Sequence, residues 1–274
     1  MARKTSFYYS FLVLPADQRR AIESVWDFCR AVDDAVDEPE ATAPTGGDPV
    51  AAARSAVVFW RSELSRCYDG LAPQTPQGRH LQPFVRQLDL PRQAFEDVID
   101  GVAMDLDTQR YQTFDDLFEY CRRVASAVGM ICIKIFGCRN EMARDYALNL
   151  GVALQLTNII RDIPDDLSRG RVYLPLDDLA AHGCRVADLE AGLSDPVRRL
   201  LAFECGRARE FYQRAIDARP AEDRRRLVAA EIMRAVYFAT LQRIEWNGYD
   251  VFKGRVRLSR PQQAVIAVRQ WIGM

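Results

Sequence analysis

Apolar positions recur along most of the chain at intervals of three and four, the rhythm of helices that bury one face. Over residues 15–36 that rhythm passes through Ile22, Val25, Trp26 and Cys29, and Pro15 suits a first helical turn. Further helices are predicted at about 49–68, 78–88 and 91–105, the last opening on Pro91. Thr113 and Asp116 form a capping pattern for a helix running through Tyr120, Val124 and Val128 to Phe136, where Gly137 stops it. Another spans about 140–163, and the periodicity resumes at 195–218, 221–246 and 261–272. Residues 39–48, 71–79 and 168–173 read as loops. Helical character is alike on both sides of the first two, so neither marks a domain boundary. Strand patterns are almost absent. The expected fold is therefore all-α, a single helical bundle over residues 1–274 with a central cavity.

The polar positions inside this pattern carry the chemistry. In QLTNIIRDIPDDLSRGRVYLP (155–175), Val152, Leu156, Ile159, Ile160 and Ile163 keep the apolar rhythm, while Gln155, Asn158, Arg161, Asp162 and Asp166 recur at helical spacing. Asp162 and Asp166 lie one turn apart and repel each other unless a cation lies between them. Such hard oxygen donors suit Mg²⁺, with Mn²⁺ as a substitute. Pro164 falls between them and is expected to kink or tighten the last turn. FCRAVDDAVDE, far upstream, repeats the device: Asp33 and Asp37 are four apart, Asp34 and Glu38 adjoin them, and Arg30 lies one turn earlier. One such pair is usually a solvated helix face. Two can face each other across a bundle and clamp a diphosphate through bridging metal ions.

At 274 residues and 49% hydrophobic content the chain can bury a large core as one domain. Thirty-seven basic residues against 38 acidic leave no overall field for nucleic acid. Seven cysteines without a C-x-x-C pair, and only two histidines, argue against structural zinc or a disulfide framework and for reduced thiols in a cytosol-like compartment. The apolar run 7–14 after Arg3 and Lys4 mimics a signal peptide. It is short, is broken by Ser10 and leads into Pro15, Asp17, Arg19 and Arg20 without a cleavage site, so it reads as mature protein. No segment reaches the roughly 20 apolar residues of a membrane span, which leaves peripheral contact with the inner membrane face as the expected limit.

SFYYSFLVLPADQRRAI (6–22), FCRAVDDAVDE, EYCRRVASAVG (119–129) and QLTNIIRDIPDDLSRGRVYLP, in that order, resemble the squalene/phytoene synthase family of head-to-head isoprenyl synthases, over nearly the whole chain. Within the family, VASAVGMICIKIFG, LTNIIRD and RVYLP resemble most the HpnD-type presqualene diphosphate synthases of bacterial hopanoid pathways. That resemblance implies condensation of two farnesyl diphosphates to presqualene diphosphate, with no NADPH required. The alternatives are phytoene from two geranylgeranyl diphosphates, or squalene with NADPH, for which no G-x-G-x-x-G fingerprint is present. It further implies that Asp33, Asp37, Asn158, Asp162 and Asp166 bind Mg²⁺, and that Arg30, Arg161 and Arg171 contact diphosphate oxygens. Ser6 would lie near the diphosphate, Gln155 would face the cavity, and Tyr120 would stand by the reacting carbons. Tyr237 and Tyr249 are weaker matches. Trp26 stands where the family usually has Tyr, and Pro164 and Asp165 replace a small residue and Glu. A terpene cyclase acting on one prenyl diphosphate and a catalytically silent assembly relative are the competing readings; the two intact motifs and the GRVYLP segment disfavour both. The implied partners are prenyl diphosphates and downstream isoprenoid enzymes.

Overall fold

The computed structural model describes residues 8–37 and 48–273, in which the periodic stretches form helices α1 (Tyr8–Leu12), α2 (Ala16–Asp37), α3 (Pro49–Asp69), α4 (Pro76–Gln87), α5 (Arg92–Asp107), α6 (Phe114–Cys121), α7 (Ala127–Ile135), α8 (Met142–Ser168), α9 (Leu176–Ala181), α10 (Val186–Glu190), α11 (Asp195–Ala218), α12 (Val228–Trp246) and α13 (Arg260–Ile272). Ser6 and Glu38 lie outside the described residues. The capping box expected at Thr113 is present, its hydroxyl accepting from the Asp116 amide while the Asp116 carboxylate accepts from the Thr113 amide. The fold is all-α. Among the described residues the extended pairing is a single parallel bridge between Arg110 and Val172.

Three departures from the expected elements bear on the site. The predicted helix over 113–136 is interrupted by a π-helical turn, Arg122–Ser126, between α6 and α7. Two glycines explain how it fits: a Cβ on Gly151 would come 2.5 Å from Ser126 Cα, and one on Gly101 would come 2.7 Å from Val124 Cγ1. The wide turn is thus pressed between α5 and α8, and Ser126 donates to the Leu148 carbonyl at 2.8 Å. Turns of this kind recur at functional sites.

Second, α8 runs past Pro164 to Ser168 instead of stopping near 163. Proline removes one backbone bond, to Ile160, near a helix end where few remain to be lost. The turn beyond is closed by the amides of Arg169 and Arg171, both donating to the Asp166 carbonyl at 3.0 Å. Gly170, at φ +75°, then lets the chain double back. Third, the expected helix over 221–246 begins as a short 3₁₀ turn, Ala221–Asp223, because the buried Asp223 carboxylate is committed to the amides of Arg139 and Asn140 at 2.8 and 2.9 Å. Smaller shifts occur elsewhere: Pro91 caps α5 instead of opening it, and the short helices α9 and α10 carried too few periodic positions to be predicted.

The long helix α8 is the axis of the bundle. One side buries Leu156 and Ile160 and packs along α11, where the Thr157 and Tyr212 hydroxyls meet at 2.9 Å. The chain leaving α8 runs beside residues 109–112: Val172 donates to the Gln109 carbonyl at 2.9 Å, Leu176 to Tyr111 at 3.0 Å and Asp177 to Gln112 at 3.1 Å. These bonds fix Arg171 and Tyr173 against the end of α5.

Candidate active site

A cavity of about 950 Å³ lies between α2, α5, α7, α8 and α12, with residues 255–263 along one wall. On α8 its lining steps one turn at a time from Tyr146 through Leu150, Leu154, Asn158 and Asp162 to Asp166, a run of roughly 30 Å at 1.5 Å per residue. On α2 it steps from Ile22 and Val25 through Cys29 to Asp33 and Asp37. Both helices therefore present apolar side chains along the body of the cavity and carboxylates at their C-terminal ends. The two acidic motifs meet at one mouth, joined by Asp37, which accepts from Arg171 at 2.7 Å and from Arg169 at 2.8 Å.

Asp162 accepts from Arg161 Nε and from Arg255, each at 2.8 Å. The other acids are crowded. Burial first, then Asp37 and Asp105, push the Asp33 carboxyl up to about 6; burial and Asp162 push Asp166 up to about 7. Nearby, the Asn158 side-chain oxygen is buried with no hydrogen-bond partner, an acceptor waiting for a donor or a cation. Among the described residues no three carboxylates, imidazoles or thiols converge into a ready-made metal cage. The donor set instead fits a hard cation that takes one or two carboxylates and completes its shell from water and phosphate oxygens.

Beside the mouth stands a cluster that the spacing of the sequence did not reveal. Asp105, at the end of α5, accepts from the Tyr173 hydroxyl at 2.8 Å and from the Tyr120 hydroxyl at 3.1 Å. The rings of Tyr120 and Tyr173 stack with centroids 5.1 Å apart, and Tyr111 lies over Tyr173 at 5.9 Å. Burial raises the Asp105 carboxyl to about 6 against the pull of Arg171 and of the two phenols. Asp105 is thus a positioning residue for both hydroxyls and for Arg171. Asp105→Asn is expected to lower kcat about 10- to 100-fold, as loss of an outer orienting group does, without lowering the thermal midpoint, since a charge disfavoured by burial is removed. An unchanged kcat in steady-state assays would remove Asp105 from the site.

Of the residues singled out in the sequence, Arg30, Asp33, Asp37, Tyr120, Gln155, Asn158, Arg161, Asp162, Asp166, Arg171 and Tyr237 all line this cavity. Arg30 sits at the mouth and pairs with Asp34 at 3.2 Å. Burial pushes the Tyr237 phenol up, and Arg161 and Asn158, hydrogen-bonded to it, hold it back. Trp26 also lines the cavity, so the position where the family usually carries Tyr still faces it. Tyr249 does not line it: it sits in a turn at φ +65° beyond α12, near Glu245 and Arg209. Further polar lining residues that the sequence reading did not single out include Asp105, Arg169, Tyr173 and Arg255. Only the run of basic residues around Arg255 was a visible signal, since a lone Asp at the end of an apolar helix has no distinguishing spacing.

The squalene/phytoene synthase family model matches residues 1–262. The chain is 33% identical to the 15-cis-phytoene synthase of Synechocystis, over 97% of this chain and 80% of that protein. It is 36% identical to the phytoene synthase of Arthrospira platensis, over 91% and 82% respectively. Among solved structures, squalene synthase HpnC from Alicyclobacillus acidocaldarius is 33% identical with a TM-score of 0.77, covering 89% of both chains. A dehydrosqualene synthase with bound ligand shares the fold, with a TM-score of 0.84 at 23% identity and coverage of 98% of this chain and 91% of that one. These matches, with a helical bundle whose cavity is apolar along its length and charged at one mouth, make the chain a prenyltransferase-type enzyme. The chain belongs to the squalene/phytoene synthase family.

Proposed function

We propose that the chain joins two geranylgeranyl diphosphates head to head to give phytoene. The observation that carries this reading is the identity of 33–36%, over more than nine-tenths of the chain, to proteins named phytoene synthases. It moves the reading from the two-farnesyl reaction expected above to its alternative. The likeness to HpnC favours a second reading, the C₃₀ condensation of farnesyl diphosphate, in which presqualene diphosphate is formed.

Both readings require the same first step. The carbon–oxygen bond of one diphosphate breaks, and the departing charge must be met where it develops. Arg161, Arg171 and Arg255 stand at the mouth for that purpose; each is now paired with Asp162 or Asp37, carboxylates that a diphosphate would displace as acceptors. Mg²⁺, held by Asp33, Asp37, Asn158, Asp162 and Asp166, would neutralise the leaving group further. The apolar body of the cavity keeps water from the allylic cation while the second chain's double bond attacks it. The ring of Tyr120 offers that cation a π-face, and its hydroxyl, tied to Asp105, lies where a proton can depart. Loss of this proton closes a cyclopropane. Departure of the second diphosphate and a second proton then gives phytoene, with no reductant.

The test is product identification after incubation with Mg²⁺ and either substrate, with and without NADPH. Phytoene from geranylgeranyl diphosphate without NADPH is the expected result. Presqualene diphosphate or squalene as the main product selects the second reading, and a cyclised product of one chain, or no product, overturns both.

A further inference from the structure

The cavity has an end opposite its charged mouth, and the helix directions locate it. Its lining on α8 begins at Tyr146 and on α12 at Ala230. These two helices run the same way, since Tyr237, about two turns beyond Ala230, is hydrogen-bonded to Arg161 and Asn158 of α8. The α7 helix runs against them: Ser126 lies at Gly151 and Gly129 at Ala147, and the lining on this wall stops at Phe136. Phe136, Tyr146 and Ala230 therefore share the far end, with Tyr146 about 30 Å along α8 from Asp166.

One ring crosses that end and is tied on both sides. Tyr146 is 1% exposed, and its hydroxyl donates to Glu231 of α12 at 2.9 Å, so the side chain spans the gap between two cavity walls. Glu231 is itself fully buried and accepts from Arg219 at 2.7 Å and from Arg234 at 3.0 Å. A carboxylate so placed stays where it is, because leaving its partners would strand a buried charge. The chain behind Phe136 is anchored in the same way: it turns at Gly137, φ +73°, and the amides of Arg139 and Asn140 donate to the buried Asp223 carboxylate. An apolar prenyl tail offers these charges nothing to bind. Their effect is to make the end of the cavity rigid.

A rigid end turns chain length into a criterion. With its diphosphate held at the mouth, a prenyl tail runs down the apolar body, and a tail one isoprene unit too long must displace a ring that packing and a buried hydrogen bond hold in place. We propose that Tyr146, held by Glu231, is the stop that sets the longest prenyl chain the cavity accepts. This rests on the head-to-head reaction proposed above, but not on which of its two substrates the parent prefers.

The experiment supplies farnesyl, geranylgeranyl and geranylfarnesyl diphosphates singly with Mg²⁺ and compares kcat/KM. The parent's product decides between the readings above, while the variants decide the stop. Tyr146→Ala should raise kcat/KM for the first chain too long for the parent, relative to the parent's own substrate, by at least about 10-fold, since even one methylene in an apolar pocket is worth about 10- to 200-fold. Tyr146→Phe keeps the ring and should keep the parent's ratio. Ala230→Leu adds bulk at the same end and should shift the ratio toward the shorter chain. Dissociation constants for the unreactive thiolodiphosphate analogues of the three lengths should move the same way, which keeps failure of the stop distinct from failure of the reaction. An unchanged ratio in Tyr146→Ala, or a loss shared equally by every length, overturns the proposal, because the ring would then serve the fold alone. If Tyr146→Ala loses its helical circular dichroism, Ala230→Leu decides, and no shift toward the shorter chain overturns it.

Discussion

Asp162→Asn is expected to lower kcat by about 10²- to 10³-fold, the loss seen when one preorganised charge-stabilising group is removed, and to leave the fold intact. The side chain is equal in size, and its amide oxygen can keep the hydrogen bonds at one of the two carboxylate positions, while the amide nitrogen at the other no longer accepts from the guanidinium it faces. What disappears is the negative charge that holds two arginines at the mouth and, beside Asp166, completes the second acidic motif. The Mg²⁺ concentration for half-maximal rate should rise along with the fall in kcat. Asp165→Asn provides the contrast, because that exposed neighbour lies outside the cavity lining and its loss should leave turnover unchanged. Turnover by Asp162→Asn close to the parent's would contradict the role given to the motif.

Why the acidic motifs could be found in the sequence while Asp105 could not follows from periodicity. Asp33 with Asp37, and Asp162 with Asp166, each repeat one helical turn apart on a helix whose other face is apolar, so spacing alone places each pair on one side. That two such sides face one another is a tertiary fact. It became readable because the pairs occur twice with flanking Arg and Asn and in an order that resembles a known family. Asp105 makes its contacts to Tyr120 and Tyr173 across 15 and 68 residues, and no local pattern announces them. The π turn was hidden for a similar reason: residues 122–126 carry ordinary helix formers, and the cause of the wider turn lies in Gly101 and Gly151 on other helices. Long helices were legible nearly to their ends. For α8, a local rule about proline gave way to the bonds that close the turn beyond it.

The crowding at the mouth also fixes how stability should depend on pH and on metal. The metal-free protein is expected to grow more stable as pH falls from about 8 to about 5.5, by on the order of 2 kcal/mol. Asp33 and Asp105 are pushed up to about 6, and Asp166 to about 7, by burial and by neighbouring carboxylates. A carboxyl raised in the folded state binds its proton more tightly there than in the unfolded chain. Its contribution is therefore fully present below the ordinary carboxylate range and is lost as pH rises through six to seven. Glu119, held down to about 2 by Arg122 and Arg123, works in the opposite sense, but its contribution begins to fall only as pH enters the ordinary carboxylate range, below this window. Mg²⁺ should reverse the trend. At about pH 8 and 100 times its Kd it should stabilise by about 2.7 kcal/mol, and far less at about pH 5.5, where the protonated carboxyls no longer attract it. Thermal midpoints measured at both pH values, with and without Mg²⁺, decide the matter. If the metal-free midpoint falls steadily between about pH 8 and 5.5, or Mg²⁺ acts equally at both, these carboxylates are not the crowded cation site that the mouth of the cavity presents.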